Sequence, residues 1–312
     1  MRTNNSLLLC TTFVLGLITT AVAVSSDRSP LDIEIQSLTG ESTTLNQIRK
    51  GKPLYVKVWA SWCDECMQQM PHFNHTYTQY KDTLSTVSVN LWMNETQQSV
   101  NNVIKTHHVK VPTYIDKRGV LGQKLNLSVT PTHALFDSKG KLVHLGHKAS
   151  RELDEKISLL ATGSLPTPPF VKKKDKAPLN KKDHSLSQAF KNKALSSVLF
   201  TSTWCDWYLK DRRPEIAKNC AAAQEFFNVH AKHNKNSLII TSHLWTGAKD
   251  IVDYREKFKP VAKVVLDANN QAFVEHNIRQ FPTLLLFKNG KEVYREIDFS
   301  DTQRISNKMK SF

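Results

Sequence analysis

An order of signals that occurs twice constrains this chain more than any other feature. In each copy an apolar strand runs into a Trp-Cys pair, a long helical pattern follows, and a later Pro-Thr step leads into a strand and turn. In the first copy Leu54 to Ala60 reads as a buried strand, Cys66 to Tyr80 as a helix interrupted at Pro71, and Ser85 to Leu91 as another strand. Thr132 to Phe136, the turn from Asp137 to Gly140, and Lys141 to Leu145 predict a hairpin. In the second copy Ser197 to Ser202 and Ser237 to Ser242 read as strands, with a helix over Pro214 to Lys232 between them. Leu284 to Phe287 and Glu292 to Arg295 then flank Asn289-Gly290, a step suited to a tight hairpin turn. Alternating strands and helices predict an α/β fold in each half, a central mixed sheet flanked by helices, repeated in tandem.

The 312 residues leave room for about two ordinary domains once a leader is removed. With 40% hydrophobic and 23% charged residues, the composition excludes a disordered or membrane-embedded chain. Between the repeats, Pro166, Pro168 and Pro169 deny helix, and the lysines at 172–174, 176, 181 and 182 deny a core. This stretch reads as a semi-extended linker. The expected division is a leader over 1–23, a first domain over 30–162, a linker over 163–184 and a second domain over 185–312.

Arg2, the apolar run from Ser6 to Val24 and the small-x-small step Ala21-Val22-Ala23 read as a signal peptide, which places the mature protein in the periplasm. Left uncleaved, the run approaches the length of about 20 residues that spans a bilayer and would act as an anchor. Cys10 falls inside this leader, so Cys63, Cys66, Cys205 and Cys220 remain. Four cysteines are too few for a disulfide scaffold in so long a chain, which favours a redox or metal role. Part of the net charge of +15 sits in the linker, as a solvated spacer or a weak contact with an anionic membrane surface. Nucleic-acid binding fits poorly with export.

The segment Trp59-Ala60-Ser61-Trp62-Cys63-Asp64-Glu65-Cys66 lies where a strand ends and a helix begins. Unpaired backbone N–H groups and the helix dipole stabilise a thiolate there, which makes Cys63 the attacking sulfur. Cys66, one turn on, is placed to resolve a mixed disulfide. Asp64 and Glu65 oppose thiolate formation, so the couple is expected to be reducing. In the second half, Tyr208 occupies the position of the second cysteine in Trp204-Cys205-Asp206-Trp207-Tyr208, and Cys220 is the only other thiol. On one straight helix Cys205 and Cys220 would be roughly 22 Å apart, beyond the limit of about 7 Å between Cα atoms of a disulfide. A break over Lys210 to Pro214 would let the chain return. Three readings stay open: a redox pair, a lone Cys205 nucleophile beside an inert Cys220, or structural cysteines in a domain that only binds partners. Trp204, Trp207 and Tyr208 either form an apolar surface for an unfolded chain or pack over the helix N-terminus.

Through Trp62-Cys63-Asp64-Glu65-Cys66, Pro71 and Val129-Thr130-Pro131-Thr132, residues 30–162 resemble the exported TlpA/ResA-like reductases of the thioredoxin superfamily. Residues 185–312 look thioredoxin-like through Trp204-Cys205 and Phe281-Pro282-Thr283. The resemblance implies two tandem thioredoxin-like folds and a cis peptide before Pro131, where the preceding backbone can pair with a substrate strand. It makes Trp62, Thr130, Pro131, Trp204, Phe281 and Pro282 candidate substrate-binding residues, beside Cys63, Cys66, Cys205 and Cys220 as candidate catalytic sulfurs. It further implies protein disulfides as substrates, recharging by a membrane thiol donor of the DsbD/CcdA type, and no cofactor or metal. The expected function is an exported thiol–disulfide oxidoreductase, a reductase or isomerase.

Two departures stand out. The buried acid six residues before the first cysteine in thioredoxin is matched here by Lys57, and by Leu199 in the second half. A different class of function, copper binding or tolerance through the same thiols, is weakened by a count of only five methionines. No second Cys-x-x-Cys completes a zinc site, and His72 with His75 and His144 with His147 read as surface pairs before they read as ligands. Asn74, Asn94 and Asn126 match the glycosylation acceptor pattern. The C-terminal Lys310-Ser311-Phe312 lacks an ER-retention signal, which disfavours a resident ER isomerase.

Overall fold

The structure, a computed structural model, describes residues 28–164 and 186–312. The expected leader and the lysine-rich part of the expected linker lie outside the described residues. The first half begins with β1 (Glu34–Ser37), β2 (Ser42–Thr44), α1 (Leu45–Arg49), β3 (Leu54–Trp59), α2 (Asp64–Gln68) and α3 (Met70–Tyr80). It continues through β4 (Ser85–Asn90), α4 (Gln97–Thr106), β5 (Thr113–Ile115), α5 (Val120–Lys124), β6 (Thr132–Phe136), β7 (Leu142–Gly146) and α6 (Arg151–Ala161). The second half opens with α7 (Leu186–Ala189), β8 (Ser196–Thr201), α8 (Cys205–Tyr208), α9 (Pro214–His233), β9 (Ser237–Ser242) and α10 (Ala248–Phe258). It closes with β10 (Lys263–Asp267), α11 (Gln271–Glu275), β11 (Thr283–Lys288), β12 (Lys291–Glu296) and α12 (Thr302–Lys310).

Every residue of β3 and of β8 is buried, so each strand needs cover on both faces and takes the centre of its sheet. The first sheet has the order β2-β1-β5-β4-β3-β6-β7 and the second β10-β9-β8-β11-β12. In both, the central strand runs parallel to one neighbour, β4 or β9, and antiparallel to the other, β6 or β11. The five strands from β5 to β7 therefore repeat as the five from β10 to β12, and the tandem α/β architecture read from the sequence is the one observed. β1 and β2 extend the first sheet, and they, β5 and β10 are elements the sequence reading did not distinguish. β1, β2 and β5 are only three or four residues long, too short for a periodic signal.

Local rules place the boundaries. The helix expected over Cys66 to Tyr80 breaks at Gln69, and Pro71 falls in the first turn of α3, where its missing N–H costs nothing. Asn289 and Gly290 both take positive φ, as a two-residue turn between β11 and β12 requires. Val58 of β3 pairs with Thr132 of β6, so the Thr130–Pro131 step lies beside the loop that leaves β3. Thr283 of β11 pairs with Phe200 of β8 and brings Phe281–Pro282 to the matching place. Both peptide bonds are cis.

Gly119, ahead of α5, has a φ of +72°, and a Cβ there would meet the guanidinium of Arg279 from the other half at 2.1 Å. Gly119→Ala is expected to lose more than the about 1–2 kcal/mol that a left-handed L-residue costs, because Arg279 must also move. Urea denaturation checks this.

Candidate functional site

Where β3 ends, Ala60, Ser61 and Trp62 turn the chain and Cys63 caps α2, with the Cys66 N–H 3.1 Å from the Cys63 sulfur. Cys63 and Cys66 form a disulfide with Cα atoms 5.2 Å apart. The turn is held by Glu95, which accepts from the Ser61 N–H at 2.6 Å, the Ser61 hydroxyl at 2.5 Å, the Ser99 hydroxyl at 2.6 Å and the Asn90 amide at 3.0 Å. Four donors satisfy this buried carboxylate, which gives the approach to Cys63 a single conformation.

Behind the disulfide, Lys57 is fully buried, donates to the Cys66 carbonyl at 3.4 Å and lies 5.4 Å from the centre of the Phe73 ring. Burial lowers its pKa to about 7, against the opposing pull of Glu65. An amine poised near neutrality can hold or release a proton on the buried side of Cys66. Next to it on the sheet, Lys57 pairs with His133. Gln69 donates to Glu65 at 2.7 Å, so its oxygen is free to accept from His133 Nε2 at 2.8 Å, and His133 Nδ1 accepts from the Tyr55 hydroxyl at 2.7 Å. That tautomer is neutral, consistent with burial pushing the His133 pKa down to about 2. A hydrogen-bonded chain thus runs from Glu65, between the two cysteines, into the core.

In the second half, Cys205 opens α8 and is bonded to Cys220 on α9, with Cα atoms 6.1 Å apart. The chain reverses between the two helices, where Arg213 N–H donates to the Leu209 carbonyl at 2.7 Å and Pro214 starts α9. The break over Lys210 to Pro214 is what brings the two sulfurs together. Leu199 stands where Lys57 does in the first half, and it is core. Trp204 is 3% exposed and packs over the helix start, whereas Trp207 is 58% exposed.

The two sites face each other. The ring centroids of Trp62 and Trp204 are 5.1 Å apart, Tyr208 meets both indoles edge-on, and Trp204 meets Phe281 at 5.6 Å. Arg213 donates to the Ser61 hydroxyl at 2.6 Å, and Arg212 pairs with Asp64 at 2.5 Å. Thr130, Pro131, Phe281 and Pro282 are buried with the aromatics, and no sulfur of the four is more than 4% exposed. The structure therefore gathers every candidate site residue into two clusters in contact.

Several residues at this centre escaped the sequence reading. Glu95 and Asn94 lie in an Asn-Glu-Thr triplet read only as a glycosylation pattern, and Arg212 and Arg213 were read only as a helix break. A buried Asn94 is tied to the other half, and the Asn74 amide donates to the His107 and His108 carbonyls. His72 Nε2 donates to the Asp154 carboxylate at 2.6 Å. Among the described residues no group of three His, Cys, Asp or Glu side chains is placed to hold a metal.

A parallel sheet core with an antiparallel hairpin, a Cys-x-x-Cys disulfide at the helix after the central strand, and a cis proline beside it define a thioredoxin-like dithiol–disulfide protein. The Redoxin family profile matches residues 25–159. The thioredoxin-like protein YneN of Bacillus subtilis is 30% identical over 141 residues, covering 44% of this chain and 82% of that protein. The thiol-disulfide oxidoreductase ResA of Bacillus thuringiensis subsp. konkukian is 30% identical over 123 residues, 39% of this chain and 70% of its own. A crystal structure of StoA from Bacillus subtilis is 25% identical with a TM-score of 0.36, covering 40% of this chain and 95% of that one. The chain belongs to the thioredoxin superfamily, among the TlpA/ResA-like thiol–disulfide oxidoreductases, and Cys63 with Cys66 stands at the redox motif.

Lys57 gives stability a pH dependence of known sign. Its pKa is about 7 folded and near 10.5 unfolded, so between these values the unfolded chain binds the extra proton and stability rises with pH. In the oxidised protein this group is expected to add about 2 kcal/mol from pH 7 to pH 9. Lys57→Met should be more stable at pH 7 and lack the rise, as read by denaturant titration at both pH values.

Proposed function

We propose that this chain is an exported reductase or isomerase of protein disulfides, built as a leader over 1–23, domains over 30–162 and 185–312, and a linker over 163–184. The Cys63–Cys66 disulfide at the N-terminus of α2, beside the Thr130–Pro131 edge, carries the reading. In the reduced enzyme the Cys63 thiolate attacks a client disulfide, forms a mixed disulfide and expels one client thiolate, which takes up a proton. Cys66, deprotonated, attacks the Cys63 sulfur and expels the second client thiolate. The client gains two electrons and Cys63–Cys66 is left oxidised. Trp62, Thr130 and Pro131 bound the place where a client strand lies, with Trp204, Phe281 and Pro282 in the same role on the second domain.

Resetting the pair takes two electrons and two protons from an external dithiol, for which a membrane donor of the DsbD/CcdA type is the natural class. The Cys205–Cys220 disulfide supports a second redox centre that relays electrons, and it speaks against an inert Cys220. Asp64 and Glu65 between the cysteines favour the reducing direction, with Arg212 offsetting part of the Asp64 charge only while the halves are in contact.

Cys66→Ser is expected to accumulate a mixed disulfide with client protein, and Cys63→Ser to form none and to lose turnover by about a hundredfold or more. Non-reducing gels and mass spectrometry read both. Thiol labelling across glutathione poises should place the Cys63–Cys66 couple near or below about −220 mV. A pair that forms no disulfide until a metal is stripped would instead mean copper handling.

A further inference from the structure

The two halves hold each other through a repeated set of contacts. Asn90 and Thr241 are matching positions, because they pair with Trp59 and Thr201 at the ends of the central strands. In the loop after β4, the Met93 carbonyl accepts the Trp62 indole N–H at 2.7 Å, and in the loop after β9 the Leu244 carbonyl accepts that of Trp204 at 2.6 Å. The next residue in each loop, Asn94 or Trp245, takes a positive φ and sends its backbone N–H across the seam. Asn94 donates to the Arg279 carbonyl at 2.9 Å and Trp245 to the Ser128 carbonyl at 2.7 Å, each acceptor three residues before a cis proline.

Their side chains then occupy the residue just before that proline. Asn94 Oδ1 accepts the Phe281 N–H at 2.5 Å, and its Nδ2 donates to the Phe281 carbonyl at 3.4 Å. A carboxamide carries the same donor and acceptor as a peptide group, so Asn94 sits at Phe281 as a strand of client backbone would. Trp245 donates its indole N–H to the Thr130 hydroxyl at 3.2 Å. Thr130 is fully buried, Phe281 is 3% exposed, and Cys63 and Cys205 are each 1% exposed. In this arrangement a client meets neither the sulfurs nor the edges that would align it.

We propose that each redox face is a docking surface for the other half of the chain, filled by residues 91–94 and 243–246, and that an extended polypeptide displaces them to reach the sulfurs. This rests on the oxidoreductase reading and adds its regulation. The latch combines aromatic packing of Trp62 on Trp204 with polar contacts, and at its edge the Arg212–Asp64 pair is about half exposed at both ends, so salt weakens that part. Each half has its own sheet, so the seam can open without unfolding either one.

Hydrogen exchange on the full oxidised chain reads the latch directly, at the backbone N–H groups of Asn94, Trp245 and Phe281. They should be protected in the wild type, and exchange about tenfold or more faster in Asn94→Ala and Trp245→Ala, while β3 and β8 stay protected. Dithiothreitol should reduce Cys63–Cys66 faster in the variants by a similar factor, and so should client-disulfide turnover rise. A redox-inert extended peptide, with serine in place of cysteine, should release the same N–H groups in the wild type without any substitution. Unchanged reduction rates in variants whose seam has opened, or no seam protection in the wild type, would overturn the proposal and leave the oxidoreductase standing. Faster dithiothreitol reduction with no client turnover in any variant would support the latch and remove the client-reductase reading instead.

Discussion

The hydrogen bond from the Trp62 indole to the Met93 carbonyl is the contact on which the arrangement of the site depends. It ties the turn before Cys63 to the loop after β4, two segments that come from adjacent parallel strands, so the sheet itself brings them within reach. A buried indole N–H needs a partner, and the carbonyl it takes fixes the loop that carries Asn94 and Glu95. Glu95 then locks Ser61 from below while Asn94 projects to the second half. The repeat of this bond at Trp204 and Leu244 gives the second half the same geometry with different side chains. The tryptophan before each cysteine is therefore an anchor with an aromatic face, and the two faces meet at the seam.

Burial decides the electrostatics beneath the disulfide. An ammonium at Lys57, with one carbonyl and a ring face as its close neighbours, loses more hydration than those contacts return, so the amine moves toward its neutral form. His133 beside it is neutral for the same reason, and it is oriented by Tyr55 and Gln69. The second half has Leu199 at the matching position and no such group. The two redox centres thus share a scaffold while differing in what lies behind their sulfurs: a titratable polar chain in one and apolar core in the other.

Much of the fold was legible because its signals are local. The apolar runs within β3 and β8, the Asn289-Gly290 turn and the proline at the start of α3 each follow from residues adjacent in sequence. The Cys63–Cys66 pair was legible for the same reason, since three residues of helix bring the sulfurs together. The pairing of Cys205 with Cys220 was not. It depends on how sharply Leu209 to Pro214 turn, and no rule of composition sets that angle. Asn94 looked like a glycosylation pattern because its role depends on a partner 187 residues away.

The family resemblance supplied the cis-proline steps, while the sequence by itself determined the two α/β halves and the strand-to-helix position of each Trp-Cys pair. These rest on hydrophobic periodicity and turn chemistry, which act over a few residues. Only the tertiary structure decided that the two redox faces meet, that Arg212 and Arg213 clasp the turn before Cys63, and that Lys57 is buried close to Cys66. Those outcomes depend on distances between segments far apart in the chain, and desolvation and hydrogen bonding act on distance in space.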